Sequence, residues 1–398
     1  MFIENKINNF FSLKISYLIL FSVCALFIAL SNVVYTYEVE LSKQDAASYI
    51  LVAQDLSNYF KVEHQEAIRF FPSFVVNIFS KITSINIEKS FKILVYLSFF
   101  LLIFKIFKFL QTIKLKNYIS LSIIASSVFS IHSILYTIFN FYQFLDLLLY
   151  IFVIYFLELA NENKVFKLFI ISLLAILTKE FLIILSIAAF LNQYFNFKDK
   201  KIFVYIFIII AIFLGNSFLV RHYNSYASPV NLTSHIGDYF SNYSLFISSA
   251  VQSLFYEKNI FLFFPFFIIL LSKNFYMQSK KYLFSIPYLI IPIGFSVLLY
   301  NYVGANFFRV FYQGYFIVVL LSLAYLAQVI EDNKKMNLLF FLSPLAFLID
   351  YLHIFFEINQ DGFYNFFQYE RYYYFSGYFF YNIIIIYIIM ANFKKIFR

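Results

Sequence analysis

Long apolar runs separated by short polar segments recur along the chain from residue 17 onwards. A run of about 20 apolar residues matches a helix that crosses a bilayer, whereas a membrane β-barrel shows shorter alternating segments. The pattern therefore predicts an all-α polytopic membrane protein with about 12 (roughly 10–13) transmembrane helices. The predicted spans are approximately 17–34, 89–110, 118–135, 141–158, 165–178, 181–195, 201–220, 259–272, 282–300, 309–328, 338–354 and 376–391.

A long polar segment, residues 36–88, interrupts this pattern directly after the first span. Within it, residues 42–60 carry apolar positions at helical spacing, which predicts an amphipathic helix lying flat on the membrane surface. The piece from Arg69 to Lys81 is apolar but too short to span a bilayer. The apolar positions of the amphipathic helix are Ala46, Ala47, Ile50, Leu51, Ala53 and Leu56.

The composition also points to a membrane protein. Hydrophobic residues make up 62% of the 398 positions and charged residues 13%, whereas a soluble domain carries about 25% charged residues. The net charge of +9 is of the kind that lysine-rich cytoplasmic loops produce, so no nucleic-acid partner is predicted. The single cysteine, Cys24, excludes an internal disulfide and a Cys/His zinc motif.

The basic residues orient the predicted spans. With the N-terminus in the cytoplasm and strict alternation, most of the 30 lysines and arginines fall on the inner side, as the positive-inside rule expects. Both termini are then cytoplasmic, and the long outer loops are about 36–88, 221–258 and 355–375. We predict one transmembrane domain, residues 1–398, with no separate soluble domain.

The first outer loop supplies the candidate catalytic residues. A carboxylate just outside the membrane can act as a general base towards an acceptor hydroxyl, and Asp45 is the first candidate. Glu40 and Glu38, at the end of the first span, are alternatives. A competing interpretation makes Asp45 part of a capping box with Ser42, in which it only stabilises the start of the helix.

Charged residues at the predicted outer helix ends are candidates for binding an anionic substrate. An arginine at the membrane boundary either holds a phosphate with two hydrogen bonds or extends to lipid headgroups. The pair Lys179-Glu180 interrupts an apolar stretch, where charges mark either a cavity or the tip of a hairpin. The candidate substrate-binding residues are His64, Arg69, Lys179, Glu180, Arg221 and Arg309.

Asp146 lies inside the fourth predicted span. A carboxylate at that depth either serves a function or accepts a hydrogen bond from a neighbouring helix, and both interpretations stay open.

The sequence contains no Walker motif, G-x-G-x-x-G, H-E-x-x-H or G-x-S-x-G, which excludes ATP-driven transport by this chain itself.

The arrangement resembles bacterial GT-C-type integral membrane glycosyltransferases, the group that includes protein mannosyltransferases and lipid A aminoarabinose transferases. The resemblance rests on Asp45-Ala-Ala-Ser-Tyr49, Arg69-Phe-Phe-Pro72, Leu177-Thr-Lys-Glu180 and the late outer-boundary Arg309. Many members carry paired acidic residues in the first loop, whereas Ala46 follows Asp45 here. Many also carry a soluble C-terminal domain, which this sequence does not predict.

The resemblance implies a GT-C-like fold and an inverting transfer of a sugar from a polyprenyl-phosphate donor to a lipid, glycan or protein acceptor. It places this reaction at the outer face of the bacterial inner membrane, with membrane lipids as further partners. It implies that Asp45 is the base and that Arg69, Lys179 and Arg309 bind the donor phosphate. No cofactor is predicted; a divalent cation is compatible with the reaction but is not predicted either.

Two other functions stay open. A transporter or flippase of a lipid-linked or small polar substrate would carry charged or broken helices at mid-membrane depth, which residues 165–195 partly match. A polysaccharide polymerase or ligase would have a large late outer loop with several arginines, whereas residues 355–375 contain only Arg371. Because the ionisable groups cluster at one predicted membrane face, the sequence favours the glycosyltransferase.

Overall fold

The computed structural model of the chain describes residues 10–34, 45–62, 67–128, 134, 138, 144–223, 248, 259–298, 307–349 and 375–397. Regular secondary structure in these residues is helical. Short 3₁₀ helices cover Leu56–Lys61, Lys280–Ser285 and Ser343–Phe347. The α-helices are α1 (Leu13–Val34), α2 (Asp45–Gln54), α3 (Phe70–Thr83), α4 (Ile87–Thr112), α5 (Asn117–Val128), α6 (Phe144–Leu159), α7 (Val165–Ile176), α8 (Leu182–Phe197), α9 (Lys201–Tyr223), α10 (Asn259–Leu270), α11 (Lys273–Gln278), α12 (Ile286–Leu298), α13 (Phe307–Ile330), α14 (Lys334–Leu342), α15 (Phe375–Ala391) and α16 (Phe393–Phe397).

Three of the described helices are long and apolar enough to cross a membrane, namely α4, α9 and the part of α13 from Phe311 to Ile330. Several shorter apolar helices accompany them, among them α3, α5, α7 and α8. The all-helical, apolar character of the sequence prediction is thereby confirmed and indicates a membrane protein. The count of twelve spans and the GT-C topology stay predictions.

Two predicted spans differ from the observed helices. The span predicted at 338–354 is not one continuous helix, since α14 ends at Leu342 and a 3₁₀ turn follows. Pro344 lies at the start of that turn, and a proline cannot donate the backbone hydrogen bond that would continue an α-helix. The span predicted at 282–300 likewise begins as a 3₁₀ turn, and α12 starts at Ile286.

The centre of the described structure is formed by α6 and α13. Helix α6 is apolar around most of its circumference, and 13 of its 16 residues are buried, as expected for a helix surrounded by other helices. Helix α13 packs tightly on α12 at Gly314, where an added Cβ would lie 2.7 Å from Pro292 Cγ. By contrast, α9 lies at the periphery and buries only Ile202, Ile209 and Val220.

Polar contacts connect the lysine-bearing helix ends. Asn117, at the start of α5, donates a hydrogen bond to the Phe11 carbonyl before α1 at 2.8 Å. Gln328 near the end of α13 donates to the Ile113 carbonyl after α4 at 3.3 Å, and Asn274 donates to the Lys395 carbonyl in α16 at 3.2 Å. These contacts bring together segments that the sequence assigned to one membrane side, and the identity of that side stays a prediction.

Candidate functional site

The amphipathic helix of the first polar segment packs onto α3 through a face that shares only part of the predicted apolar stripe. Tyr49, Val52 and Ala53 are buried, whereas Ala47 and Leu51 are exposed. These buried positions follow i, i+3 and i+4 spacing. Of the predicted apolar stripe, Ala53 lies on this protein-facing side, whereas Ala47 and Leu51 are exposed. The helix contacts protein also through Tyr49 and Val52, which the predicted stripe did not include.

Two buried polar side chains of α3 hold α2 in place. Ser73 Oγ donates a hydrogen bond to the Tyr49 carbonyl at 3.1 Å, and Asn77 Nδ2 donates to the Ala53 carbonyl at 2.7 Å. Both side chains are nearly inaccessible to solvent, and buried polar groups of this kind are costly unless they are bonded. The helix that begins with Asp45 is thus fixed against the segment that begins with Arg69.

Arg69, directly before α3, forms a two-point ion pair with Glu180 in the turn between α7 and α8. Arg69 Nε donates to Glu180 Oε2 at 2.9 Å, and Nη2 donates to Oε1 at 2.5 Å. The Arg69 side chain is 4% exposed and the Glu180 side chain 25% exposed. Tyr49 lies beside Arg69 and contributes to its electrostatic environment. This geometry is the parallel arrangement that guanidinium groups form with carboxylates and phosphates.

Lys179, the preceding residue in the same turn, points to a different partner. Its Nζ lies 3.3 Å from Asp146 Oδ1 in the first turn of α6, and both side chains are almost completely buried. Gln313 of α13 donates from Nε2 to the same Asp146 oxygen at 3.1 Å. Tyr288 of α12 donates to the Gln313 backbone carbonyl at 3.2 Å. The cluster therefore joins the turn to three helices.

The turn between α7 and α8 is itself held by the backbone. Phe71 N, in the first turn of α3, donates to the Leu177 carbonyl at 3.0 Å. Within the turn, Lys179 N bonds to the Ala175 carbonyl at 3.0 Å and Leu182 N to the Lys179 carbonyl at 3.1 Å. Adjacent side chains in this compact turn point to opposite sides, so Lys179 and Glu180 pair with two separate partners rather than with each other.

Electrostatics favour the ionised form of the Arg69–Glu180 pair. Burial opposes ionisation of the Glu180 carboxyl, but the charge and hydrogen bonds of Arg69 outweigh it and lower its pKa from the ordinary 4.5 to about 2. Lys179 acts on Glu180 in the same direction. Burial also opposes the charge on Arg69, yet the neighbouring carboxylate raises the pKa of the guanidinium further above its usual range. Both groups stay charged at neutral pH.

The structure brings together three of the predicted site residues, Arg69, Lys179 and Glu180. Arg221 is exposed in the last turn of α9. That end of α9 packs near the first polar segment, because Val220 contacts the group formed by Val52, Val62 and Ala67.

For the other candidate site residues that it describes, the structure gives only their position in a helix. Asp45 is the first residue of α2, and Arg309 is the third residue of α13. Glu38, Glu40 and His64 lie outside the described residues, as does Ser42 of the proposed capping box. In the described part of the chain, no group of three His, Cys, Asp or Glu side chains could hold one metal ion.

Sequence reasoning missed Gln313 and Tyr288. Gln313 is fully buried within a long apolar helix, and a glutamine inside a predicted span is a detectable signal for an intramembrane hydrogen bond. Tyr288 gave no such signal among the 35 tyrosines of the chain. Asp146 was recognised, and it takes part in both an ion pair and a helix–helix hydrogen bond.

No family model matches the chain, and searches of the curated proteins and of the solved structures found no match to it.

Proposed function

We propose that the protein is a GT-C-like membrane glycosyltransferase that moves a sugar from a polyprenyl-phosphate donor to a lipid, glycan or protein acceptor. The observation that carries this proposal is the meeting of α2, the Arg69 segment and the Lys179-Glu180 turn. Tyr49, one helical turn after Asp45, lies beside Arg69, and Arg69 pairs with the residue next to Lys179. A candidate base and two cations therefore come from segments in contact.

The chemistry of sugar transfer needs these two kinds of group. A carboxylate removes the proton from the acceptor hydroxyl, the acceptor oxygen bonds to the anomeric carbon, and the bond from that carbon to the phosphate oxygen breaks. The electron pair of the broken bond leaves on the prenyl phosphate, whose charge nearby cations stabilise. We assign the base to Asp45, with Glu40 and Glu38 as alternatives, and the cations to Arg69, Lys179 and Arg309.

Arg309 joins this group through its place on α13. It lies four residues before Gln313, so the two Cα positions share one face of the helix. Gln313 in turn contacts Asp146, the partner of Lys179. In this proposal the chain crosses the bacterial inner membrane about 12 times, with both termini cytoplasmic and the reaction on the outer face.

A transporter or flippase is the second candidate, and one observation favours it. The Lys179–Asp146 pair and Gln313 are buried among apolar helices, and ionisable residues at such depth often belong to substrate or proton pathways. The glycosyltransferase is preferred because Arg69 and Glu180 form a second charged pair at the same turn, adjoining the helix that starts at Asp45.

Reconstitution into proteoliposomes separates the two functions. With a labelled polyprenyl-phosphate sugar and an acceptor mixture from the host membrane, the glycosyltransferase yields a covalent labelled product and free polyprenyl phosphate. A transporter would instead exchange labelled for unlabelled substrate across the bilayer with no covalent product, and that result would reject the proposal.

A further inference from the structure

The two side chains of the Arg69–Glu180 pair differ in their exposure to solvent. This difference determines how an anion could reach Arg69. The arginine side chain is 4% exposed, whereas the glutamate side chain is 25% exposed. Glu180 is thus the more accessible member of the pair, and Arg69 is the buried one.

A carboxylate and a phosphate ester present the same feature to an arginine. Each offers two oxygens at a spacing that accepts parallel hydrogen bonds from Nε and a terminal nitrogen. Glu180 uses this arrangement, with Arg69 Nε and Nη2 each bonded to a separate oxygen. The position of the Glu180 carboxylate is therefore a geometric stand-in for a phosphate group.

We propose that Glu180 occupies the phosphate-ester site formed by Arg69 in the unliganded protein, and that the phosphate of the lipid-linked ligand displaces it. The prenyl-phosphate identity of the ligand rests on the proposed function. The displacement itself rests on the two-point pair and on the greater exposure of Glu180.

The buried arginine makes this exchange selective for anions. If Glu180 left without replacement, the buried guanidinium would lose its partner, and an unpaired buried charge is strongly unfavourable. An uncharged prenol cannot fill the gap, whereas a phosphate ester can. The turn that carries Glu180 would move only when an anionic headgroup arrives, so binding of the donor and rearrangement of the Lys179-Glu180 turn are coupled.

The test measures equilibrium binding of farnesyl phosphate to the purified full-length protein in detergent micelles, with farnesol, inorganic phosphate and phosphatidylglycerol as comparison ligands. Glu180→Gln removes the competing charge and is expected to tighten farnesyl phosphate binding by about tenfold. Arg69→Gln combined with Glu180→Gln removes the site without leaving an unpaired charge, and binding should fall to the level of farnesol.

The matched control is Glu158→Gln. Glu158 forms an ion pair with Lys105 in another part of the structure, so this variant also breaks a partly buried pair but should leave farnesyl phosphate binding unchanged.

Equal binding by wild type and Glu180→Gln, or weaker binding by Glu180→Gln, would overturn the proposal and make the Arg69–Glu180 pair a purely structural contact. Equal responses to farnesyl phosphate and inorganic phosphate would assign the site to free phosphate, and the strongest response to phosphatidylglycerol would assign it to bulk lipid; either outcome would overturn the prenyl-phosphate assignment.

A second measurement does not depend on the stability of Glu180→Gln. The chain contains no tryptophan, so Phe181→Trp introduces a single fluorescent reporter beside Glu180. Farnesyl phosphate, but not farnesol, should change its emission in a saturable way, and the Arg69→Gln/Glu180→Gln background should abolish the change. Emission that does not change on addition of farnesyl phosphate would contradict displacement of Glu180.

If farnesyl phosphate binds as expected while no sugar transfer occurs, the proposed function is wrong and the anion site is still supported.

Discussion

Lys179 and Asp146 are 33 residues apart in sequence, and their side chains meet inside the apolar core with Nζ 3.3 Å from Oδ1. The pair connects the turn between α7 and α8 to the first turn of α6, and Gln313 extends it to α13. A buried ion pair adds little to the free energy of unfolding, but removal of one partner is strongly destabilising because the other charge stays buried. This asymmetry gives the first prediction.

Asp146→Asn should destabilise the protein strongly, by roughly 3–5 kcal/mol, since it leaves the buried Lys179 ammonium without its counter-charge. The measurement is the apparent melting temperature of the purified protein in detergent. Adding Lys179→Met should restore most of the loss, because the double variant buries no charge.

Asp332→Asn provides the control for removal of an exposed carboxylate, and it should change stability by less than about 0.5 kcal/mol. If Asp146→Asn alone were as stable as this control, the buried pair would not have the importance that its burial indicates.

Gly314→Ala should separate α12 from α13. The new methyl group would lie 2.7 Å from Pro292 Cγ and 3.2 Å from the Leu289 carbonyl oxygen, and overpacking of this kind costs roughly 1–3 kcal/mol. Gly215 and Gly294 have nothing within 4 Å of an added Cβ. Alanine at either position should therefore be neutral or stabilising, since alanine is the better helix former by about 1 kcal/mol. Equal melting temperatures for all three variants would contradict the tight packing of α12 on α13.

The Arg69–Glu180 pair predicts a specific acid sensitivity. The pKa of Glu180 is lowered from 4.5 to about 2 in the folded protein, so its stabilising contribution is complete above about pH 4.5 and is lost as the pH falls towards 2. Between pH 6 and pH 3, the wild type should lose more thermal stability than Arg69→Gln/Glu180→Gln. The other carboxyl groups titrate in both proteins and cancel in the comparison. Identical pH profiles would mean that the pair does not stabilise the fold.

Hydrophobic spacing predicted most helices of the described structure because each apolar run needs an environment without water. It placed α4 at 89–110 against the observed Ile87–Thr112, and α1 at 17–34 against Leu13–Val34. It was less successful at Pro344, where the apolar pattern continues although the backbone changes to a 3₁₀ turn. Apolar composition alone does not register such a change in hydrogen bonding.

The sequence predicted which residues belong to the candidate site better than it predicted which of them contact each other. Charges in apolar sequence, such as Lys179, Glu180 and Asp146, are conspicuous because they are costly in a membrane. Their partners depend on which helices become neighbours, and hydrophobic periodicity carries no such information. The buried face of α2 was predicted only at Ala53. Tyr49 and Val52 are no more apolar than the exposed Leu51, and they are buried because of their tertiary contacts, such as those of Val52 with Val62 and Val220.

The most direct measurement is sugar transfer in proteoliposomes by wild type and Asp45→Asn, followed as release of polyprenyl phosphate with formation of labelled product. Loss of a general base should reduce the rate by about 10²–10⁴-fold while farnesyl phosphate binding, which depends on Arg69, stays within about twofold. Glu331→Gln, a change at an exposed carboxylate following α13, should transfer at the wild-type rate. Transfer by Asp45→Asn at the wild-type rate would contradict the assignment of Asp45 as the base.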